Sequence, residues 1–310
     1  MKITRRTFLK DAGLVVGILG LSQSAVPQVA KALELLASGR APVLWLQGQA
    51  CSGCSISLLN SESPSPADLL TRYLSLYFHH TLSAATGVAA RKVLEQSIAD
   101  ERTVLVVEGS VPAGMPKACT LGDETFNELL IRAAKGAQAV VCVGACASFG
   151  GIPAAQGNPT GALDVPTFLQ QAGIEKPVIN LPGCPTHPAW SVGTILHLLR
   201  GSLPELDELH RPKAYYNELL HDQCPLFAKY QIQEFARHPG EEGCLFKLGC
   251  QGAITKADCS MRGWNGGVNW CVRTRGVCVG CARPEFARDR DYPFYRIHES
   301  ATDGPRDEES

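Results

Sequence analysis

Neither sign of charge is in excess in this 310-residue chain, where 29 Lys and Arg stand against 30 Asp and Glu. A near-neutral chain has no long-range field with which to gather a polyanion, so nucleic acid and anionic membrane surfaces are poor partners. Also missing is a second apolar run of spanning length after the first residues. A membrane helix needs about 20 consecutive apolar residues, and the tail beyond Tyr295 is polar and charged. The mature chain is therefore expected to have no transmembrane segment and to be soluble or peripherally attached. Apolar residues as such are not scarce: at 45% the chain can bury a core, which excludes a disordered linker, and its length fits about two domains.

Cysteine is in surplus. Thirteen are too many for ordinary packing and too dilute for a small disulfide scaffold, and an odd number leaves at least one outside any complete set of intrachain disulfides. Many sit in short-range pairs beside Gly and Pro: Cys51/Cys54, Cys142/Cys146, Cys244/Cys250 and Cys278/Cys281. That pattern reads as metal ligation by thiolates.

Residues 1–32 read as an export signal. Arg5 and Arg6 stand in Thr4-Arg5-Arg6-Thr7-Phe8-Leu9-Lys10, an apolar stretch follows from Ala12 to Leu21, and Ala30-Lys31-Ala32 offers a small-x-small cleavage site. This is the twin-arginine arrangement. That route carries folded proteins, often with a cofactor inserted beforehand, which explains how a thiolate-rich chain can reach a compartment where free cysteines oxidise.

From Pro42 to about Leu199, short apolar runs alternate with helical patterns, the signature of βαβ units and a parallel sheet. Expected strands are Pro42–Gln47, Thr103–Val107, Ala139–Val143 and Pro177–Leu181. Expected helices are Ala67–Phe78, Val88–Ala99, Glu124–Ala134 and Val165–Gln171. On this scheme Cys51, Cys54, Cys146 and Cys184 all fall just past the carboxyl ends of strands, the edge where open α/β sheets bind ligands. Four thiols arriving there from three loops match the ligand count of a cubane cluster. After about Pro204 the periodicity fades and turns rich in Gly and Pro take over. Such a segment of roughly 90 residues is expected to need metal cross-links as well as apolar burial. The organisation is thus read as a signal (1–32), an α/β domain (41–204), a cluster-organised domain (205–296) and a polar tail (297–310).

The second domain holds eight ligand-type residues: His221, Cys224, Cys244, Cys250, Cys259, Cys271, Cys278 and Cys281. They divide into two sets of four. His221 and Cys224, at i,i+3 spacing, would share one helical face and pair with Cys244 and Cys250, leaving Cys259, Cys271, Cys278 and Cys281. Four-ligand sets of this kind also suit structural zinc, which spacing does not exclude; the separate site on the sheet edge favours iron–sulfur. Cys119 and Cys142 remain as small apolar core residues, and His79, His80, His187, His197 and His210 as ordinary surface or core histidines. Every proposed set is closed with four ligands, so none offers the open position of a catalytic metal.

Several ordered motifs resemble those of nickel-iron hydrogenase small subunits. They are Trp45-Leu46-Gln47-Gly48-Gln49-Ala50-Cys51-Ser52-Gly53-Cys54, Val107-Glu108-Gly109-Ser110-Val111-Pro112, Gly144-Ala145-Cys146-Ala147-Ser148-Phe149-Gly150-Gly151, Pro182-Gly183-Cys184-Pro185, Gly249-Cys250-Gln251-Gly252 and Cys278-Val279-Gly280-Cys281. The resemblance spans nearly the whole chain. It implies a flavodoxin-like first domain with a proximal 4Fe-4S cluster on Cys51, Cys54, Cys146 and Cys184. It further implies a distal 4Fe-4S cluster on His221, Cys224, Cys244 and Cys250 and a medial cluster between the two, making an irregular iron–sulfur domain.

The implied partner is a large subunit that holds the nickel and iron and activates dihydrogen, hydrogenase activity existing only in the heterodimer. An electron acceptor such as a c-type cytochrome or a membrane quinone-reducing module follows, and the periplasm is the implied location. Oxygen-tolerant members carry two further proximal cysteines, at positions matching Gly53 and Gly151 here. In many members the second medial position is proline, leaving three thiolates and a 3Fe-4S cluster. Here Trp264-Asn265-Gly266-Gly267-Val268-Asn269-Trp270-Cys271 places cysteine there, as in the selenium-containing subclass, and implies a medial 4Fe-4S cluster on Cys259, Cys271, Cys278 and Cys281. The rivals are a complex I-like electron-transfer subunit, which should lack the signal and the second-domain ligands, and a secreted disulfide-bonded binding protein.

Overall fold

The computed structural model describes residues 42–73, 75–199 and 201–288. The export signal at 1–32 and the tail at 297–310 lie outside the described residues. Five strands form one parallel sheet: β1 (Pro42–Gln47), β2 (Ser75–His79), β3 (Val104–Glu108), β4 (Ala139–Val143) and β5 (Val178–Leu181). Their order is β2-β1-β3-β4-β5 with every neighbour parallel, the 2-1-3-4-5 order of the flavodoxin-like fold. Parallel neighbours require crossovers. Among these are α1 (Gly53–Leu59), α2 (Gly87–Ala99), α3 (Phe126–Gly136), α4 (Gly144–Phe149) and α5 (Val165–Gln171), and α6 (Pro188–Leu199) follows the last strand.

The continuous apolar strands are explained by burial on both faces. Leu44, Leu46, Leu105, Val107, Val140 and Cys142 point into one core with residues of α2, α3 and α5. Val43, Trp45, Val104, Val106, Val141, Val143 and Leu181 point the other way, onto Leu58 of α1 and Trp190 and Ile195 of α6. Local chemistry sets the helix starts: Thr125 and Glu128 form a capping box at α3, and Asp164 caps α5 by accepting from the Thr167 N–H at 2.8 Å.

One expected element is corrected. The stretch Ala67–Phe78, read as a helix, is a single turn at Pro66–Asp68, a π-helical turn at Leu69–Tyr73, and then the edge strand β2. Its apolar spacing suits a helix, but Tyr77 and Phe78 are residues that also favour a strand, and pairing with β1 decides the outcome. The segment from 201 to 288 contains short helical turns and isolated bridges. Tyr215, Tyr216, Leu220, Leu245, Trp270, Val272 and Val277 join the core on the α6 face of the sheet, so apolar burial contributes more there than the faded periodicity implies. Among the described residues no helix is long and apolar enough to cross a membrane.

Candidate metal centres

The loops at the carboxyl edge of the sheet bring Cys51, Cys54, Cys146 and Cys184 around one cavity of about 90 Å³, against roughly 10–15 Å³ for a single water. Cys51 and Cys54 come from the loop after β1 and the start of α1. Cys146 comes from α4 and Cys184 from the turn after β5. The cavity opens beside β1 and β3, where the strand order reverses and ligands bind in such sheets.

Glycines make the close approach possible. A Cβ on Gly144, whose φ is +87°, would lie 2.5 Å from the Cys54 sulfur, and one on Gly151, at φ +51°, would lie 2.9 Å from that of Cys146. Burial pushes the Cys54 thiol well up, with the Glu108 carboxylate adding to it, and raises Cys146 to about 12, with Cys184 next. Buried thiols of this kind resist ionising on their own. A metal that takes the place of the proton removes that cost, so the donor set fits an iron–sulfur group.

His221, Cys224, Cys244 and Cys250 line a second, narrower gap of about 10 Å³. The His221–Cys224 pair lies on a turn rather than a helix: the Cys224 N–H donates to the His221 carbonyl at 3.0 Å, and no helix is formed between Tyr216 and Phe227. Pro225 directly after Cys224 explains this, since the residue before proline is pushed out of the helical region. The His221 ring is gripped edge-on by Phe227 and Tyr230 at centroid distances of 5.1 and 4.5 Å. Its Nε2 is buried without a hydrogen-bond partner, and burial lowers its pKa. A neutral imidazole with an orphaned nitrogen among three thiols is a ligand in waiting.

Cys259, Cys271, Cys278 and Cys281 form the third group. Burial pushes Cys259 and Cys278 well up and Cys281 to about 12, and each thiol of the group is raised further by others of the group, Cys271 excepted, where Cys250 adds to burial. This third group touches both of the others. The Cys278 N–H donates to Cys250 Sγ at 3.4 Å, and the backbone of Cys184 lies against the Cys281 sulfur, where it opposes the upward push of burial on that thiol.

All thirteen cysteines lie within the described residues and none is in a disulfide. Among the described residues no three His, Cys, Asp or Glu side chains are drawn tightly enough to hold a single ion. Cys142 is completely buried between the strands and α3, and Cys119 packs at the margin of that core.

Sequence reasoning missed Glu108, Ser55 and His79, which form a buried polar network against Cys54. The available signal was a charged residue closing the otherwise apolar run Val104-Leu105-Val106-Val107-Glu108. His79 is fully buried and its pKa is lowered to about 4, by burial first and against the pull of Glu108. His187 is likewise lowered to about 4 by burial, and it ties the Cys184 loop to the Cys259 helix through a 2.8 Å bond to the Gly263 carbonyl.

Two families divide the chain between them. Residues 51–198 match the family described as NADH ubiquinone oxidoreductase, 20 Kd subunit, and residues 216–295 match the C-terminal family of the NiFe/NiFeSe hydrogenase small subunit. The second match is the feature a complex I-like subunit should lack. The periplasmic NiFeSe hydrogenase small subunit of Desulfomicrobium baculatum is 40% identical, with 95% of this chain and 99% of that protein covered. The quinone-reactive Ni/Fe-hydrogenase small chain of Wolinella succinogenes is 38% identical, with 97% and 88% covered. The crystal structure of a reduced, active form of the Ni-Fe-Se hydrogenase from Desulfomicrobium baculatum superposes with a TM-score of 0.80 at 41% identity, covering 83% of this chain and 99% of that one. With the sheet, the thiol-lined edge and near full-length similarity in agreement, the chain belongs to the small subunits of NiFe and NiFeSe hydrogenases.

Proposed function

We propose that this chain relays electrons between the hydrogen-activating Ni-Fe site of a large subunit and an external acceptor, using three 4Fe-4S clusters held by its own side chains. The observation that carries the reading is the order of the ligand groups: Cys184 meets Cys281, and Cys278 meets Cys250. Cys51, Cys54, Cys146 and Cys184 would hold the proximal cluster, Cys259, Cys271, Cys278 and Cys281 the medial one, and His221, Cys224, Cys244 and Cys250 the distal one. Residues 41–204 then carry the first site and 205–296 the other two.

When bound, such clusters supply one-electron carriers whose potentials follow cluster type, charge, hydrogen bonds to sulfur and exposure. The chain provides several of these levers. The N–H groups of Leu226 and Cys278 donate to Cys224 Sγ and Cys250 Sγ, each at 3.4 Å. His221 replaces a thiolate by a neutral nitrogen, making its site less negative and a better exit for electrons. The cavity of about 90 Å³ between the four sheet-edge thiols supports a multi-atom cluster over a zinc ion, which would hold all its sulfurs about 2.3 Å from one centre.

The twin-arginine signal would take the assembled heterodimer to the periplasm, where a c-type cytochrome or a membrane quinone-reducing module would accept the electrons near His221. Iron and acid-labile sulfide analysis of the purified heterodimer tests the relay. Three clusters' worth of both are expected, with iron lost after Cys146→Ala and after Cys259→Ala, at least the one iron that each thiolate would hold. Zinc in place of iron, or iron without sulfide, refutes it.

A further inference from the structure

Strand β3 is apolar and completely buried until its last residue, Glu108, a carboxylate only 2% exposed at the sheet edge beside Cys54. A buried carboxylate is costly unless donors surround it, and Glu108 has five. Its Oε1 accepts the backbone N–H of Cys54 at 2.9 Å and of Ser55 at 3.3 Å. Its Oε2 accepts Trp45 Nε1 at 3.2 Å, Gln47 Nε2 at 3.1 Å and the Ser55 hydroxyl.

The direction of these bonds follows from the groups behind them. His79 Nδ1 accepts the N–H groups of Thr81 and Leu82 at 3.0 and 3.3 Å, so the ring proton sits on Nε2 and is donated to Ser55 Oγ at 3.0 Å. Gln47 Nε2 also donates to Ser55 Oγ, at 3.0 Å, and the Gln47 amide is oriented by the Thr81 hydroxyl, which donates to its Oε1 at 3.0 Å. With both lone pairs of Ser55 Oγ occupied, its own hydrogen is left for Glu108. Every neighbour of Glu108 is therefore a donor, and a protonated Glu108 would find no acceptor for its hydrogen. The network is built around a carboxylate anion.

We propose that Glu108 is a positioning residue with an electrostatic role: it holds the Cys54 loop by its backbone N–H groups and, as a fixed negative charge, lowers the reduction potential of the cluster bound by Cys51, Cys54, Cys146 and Cys184. The proposal rests on the four-thiol reading of that site. Its consequence is that the first relay site is a stronger reductant than the same thiolates would make it without Glu108, because adding an electron beside a buried anion costs more in a low-dielectric surrounding. The Ser55 and His79 side chains, which touch no thiol in this network, act through Glu108: the Ser55 hydroxyl donates to its carboxylate and offsets part of its charge, and His79 fixes the direction of that hydroxyl.

The test is a redox titration of the intact heterodimer, following the proximal site by electron paramagnetic resonance. In Glu108→Gln the ratio of reduced to oxidised proximal site at fixed ambient potential should rise at least tenfold, an upward shift of about 59 mV for one electron, while Glu108→Asp, which keeps the charge, should change it less than threefold. A Glu108→Gln protein that holds its full iron and stays within twofold of wild type overturns the proposal. If Glu108→Gln does not load the site, Ser55→Ala decides: it keeps the carboxylate and removes one donor, so the less-screened charge should lower the ratio several-fold, and an unchanged or raised ratio overturns the proposal. A Cys146→Ala protein that retains its full iron would instead refute the four-thiol site itself.

Discussion

Replacing Gly144 by alanine should disable the sheet-edge site while leaving the fold intact. Gly144 begins α4 directly after β4 at φ +87°, and its Cβ would stand 2.5 Å from the Cys54 sulfur. The backbone term for an L-residue at such a φ is about 1–2 kcal/mol. Forcing a methyl against a packed neighbour adds typically about 1–3 kcal/mol, so the whole comes to about 2–5 kcal/mol. A domain with about 5–15 kcal/mol of stability survives that, but the cheapest relief is to swing Cys54 away from the other three thiols. Gly173 is the control: its φ is +67° and a Cβ there meets nothing within 4 Å, so its alanine variant carries the backbone term alone. Iron and sulfide analysis, with denaturant unfolding of both variants, separates the terms. Gly144→Ala is expected to lose one cluster's worth of iron and to be less stable than Gly173→Ala; full iron and equal stability in the two would refute the reasoning.

Three further outcomes are expected. Fresh wild-type protein should show no intense 3Fe-4S signal by electron paramagnetic resonance in the oxidised state, whereas Cys271→Pro should show one, because proline removes the fourth medial thiolate; a strong signal in undamaged wild type would contradict the medial assignment. Replacing both Arg5 and Arg6 by lysine should leave the clusters assembled but strand this chain and its large subunit in the cytoplasm, as read by fractionation and hydrogenase activity; normal periplasmic activity would remove the export reading. With glycine rather than cysteine at Gly53 and Gly151, next to the Cys51 and Cys146 sulfurs at 3.1 and 2.9 Å for an added Cβ, the proposed proximal cluster would have four thiolates only. Hydrogen oxidation should then stop under air, and sustained turnover in air would refute that.

The chemistry of this chain and its rough placement are legible in the order of its residues. Continuous apolar runs mark strands that are buried on both faces, and cysteines directly after three of them fall at the carboxyl edge, because the end of a parallel strand is a position along the chain as much as in space. The family is legible for the same reason: its motifs are local loops around thiols. Contacts between distant segments settle what local pattern leaves open. Ser75–His79 became the edge strand only because β1 offered a free pairing edge, against a helical spacing that read equally well. His221 and Cys224 share a turn, with the imidazole held by Phe227 and Tyr230. The adjacency of Cys184 to Cys281 and of Cys278 to Cys250 joins segments 97 and 28 residues apart in the chain. The network of Trp45, Gln47, Ser55, His79 and Glu108 draws on three parallel strands and a helix start. No sequence period encodes such meetings, since each depends on which strands lie side by side, and that is settled by the packing of the whole sheet.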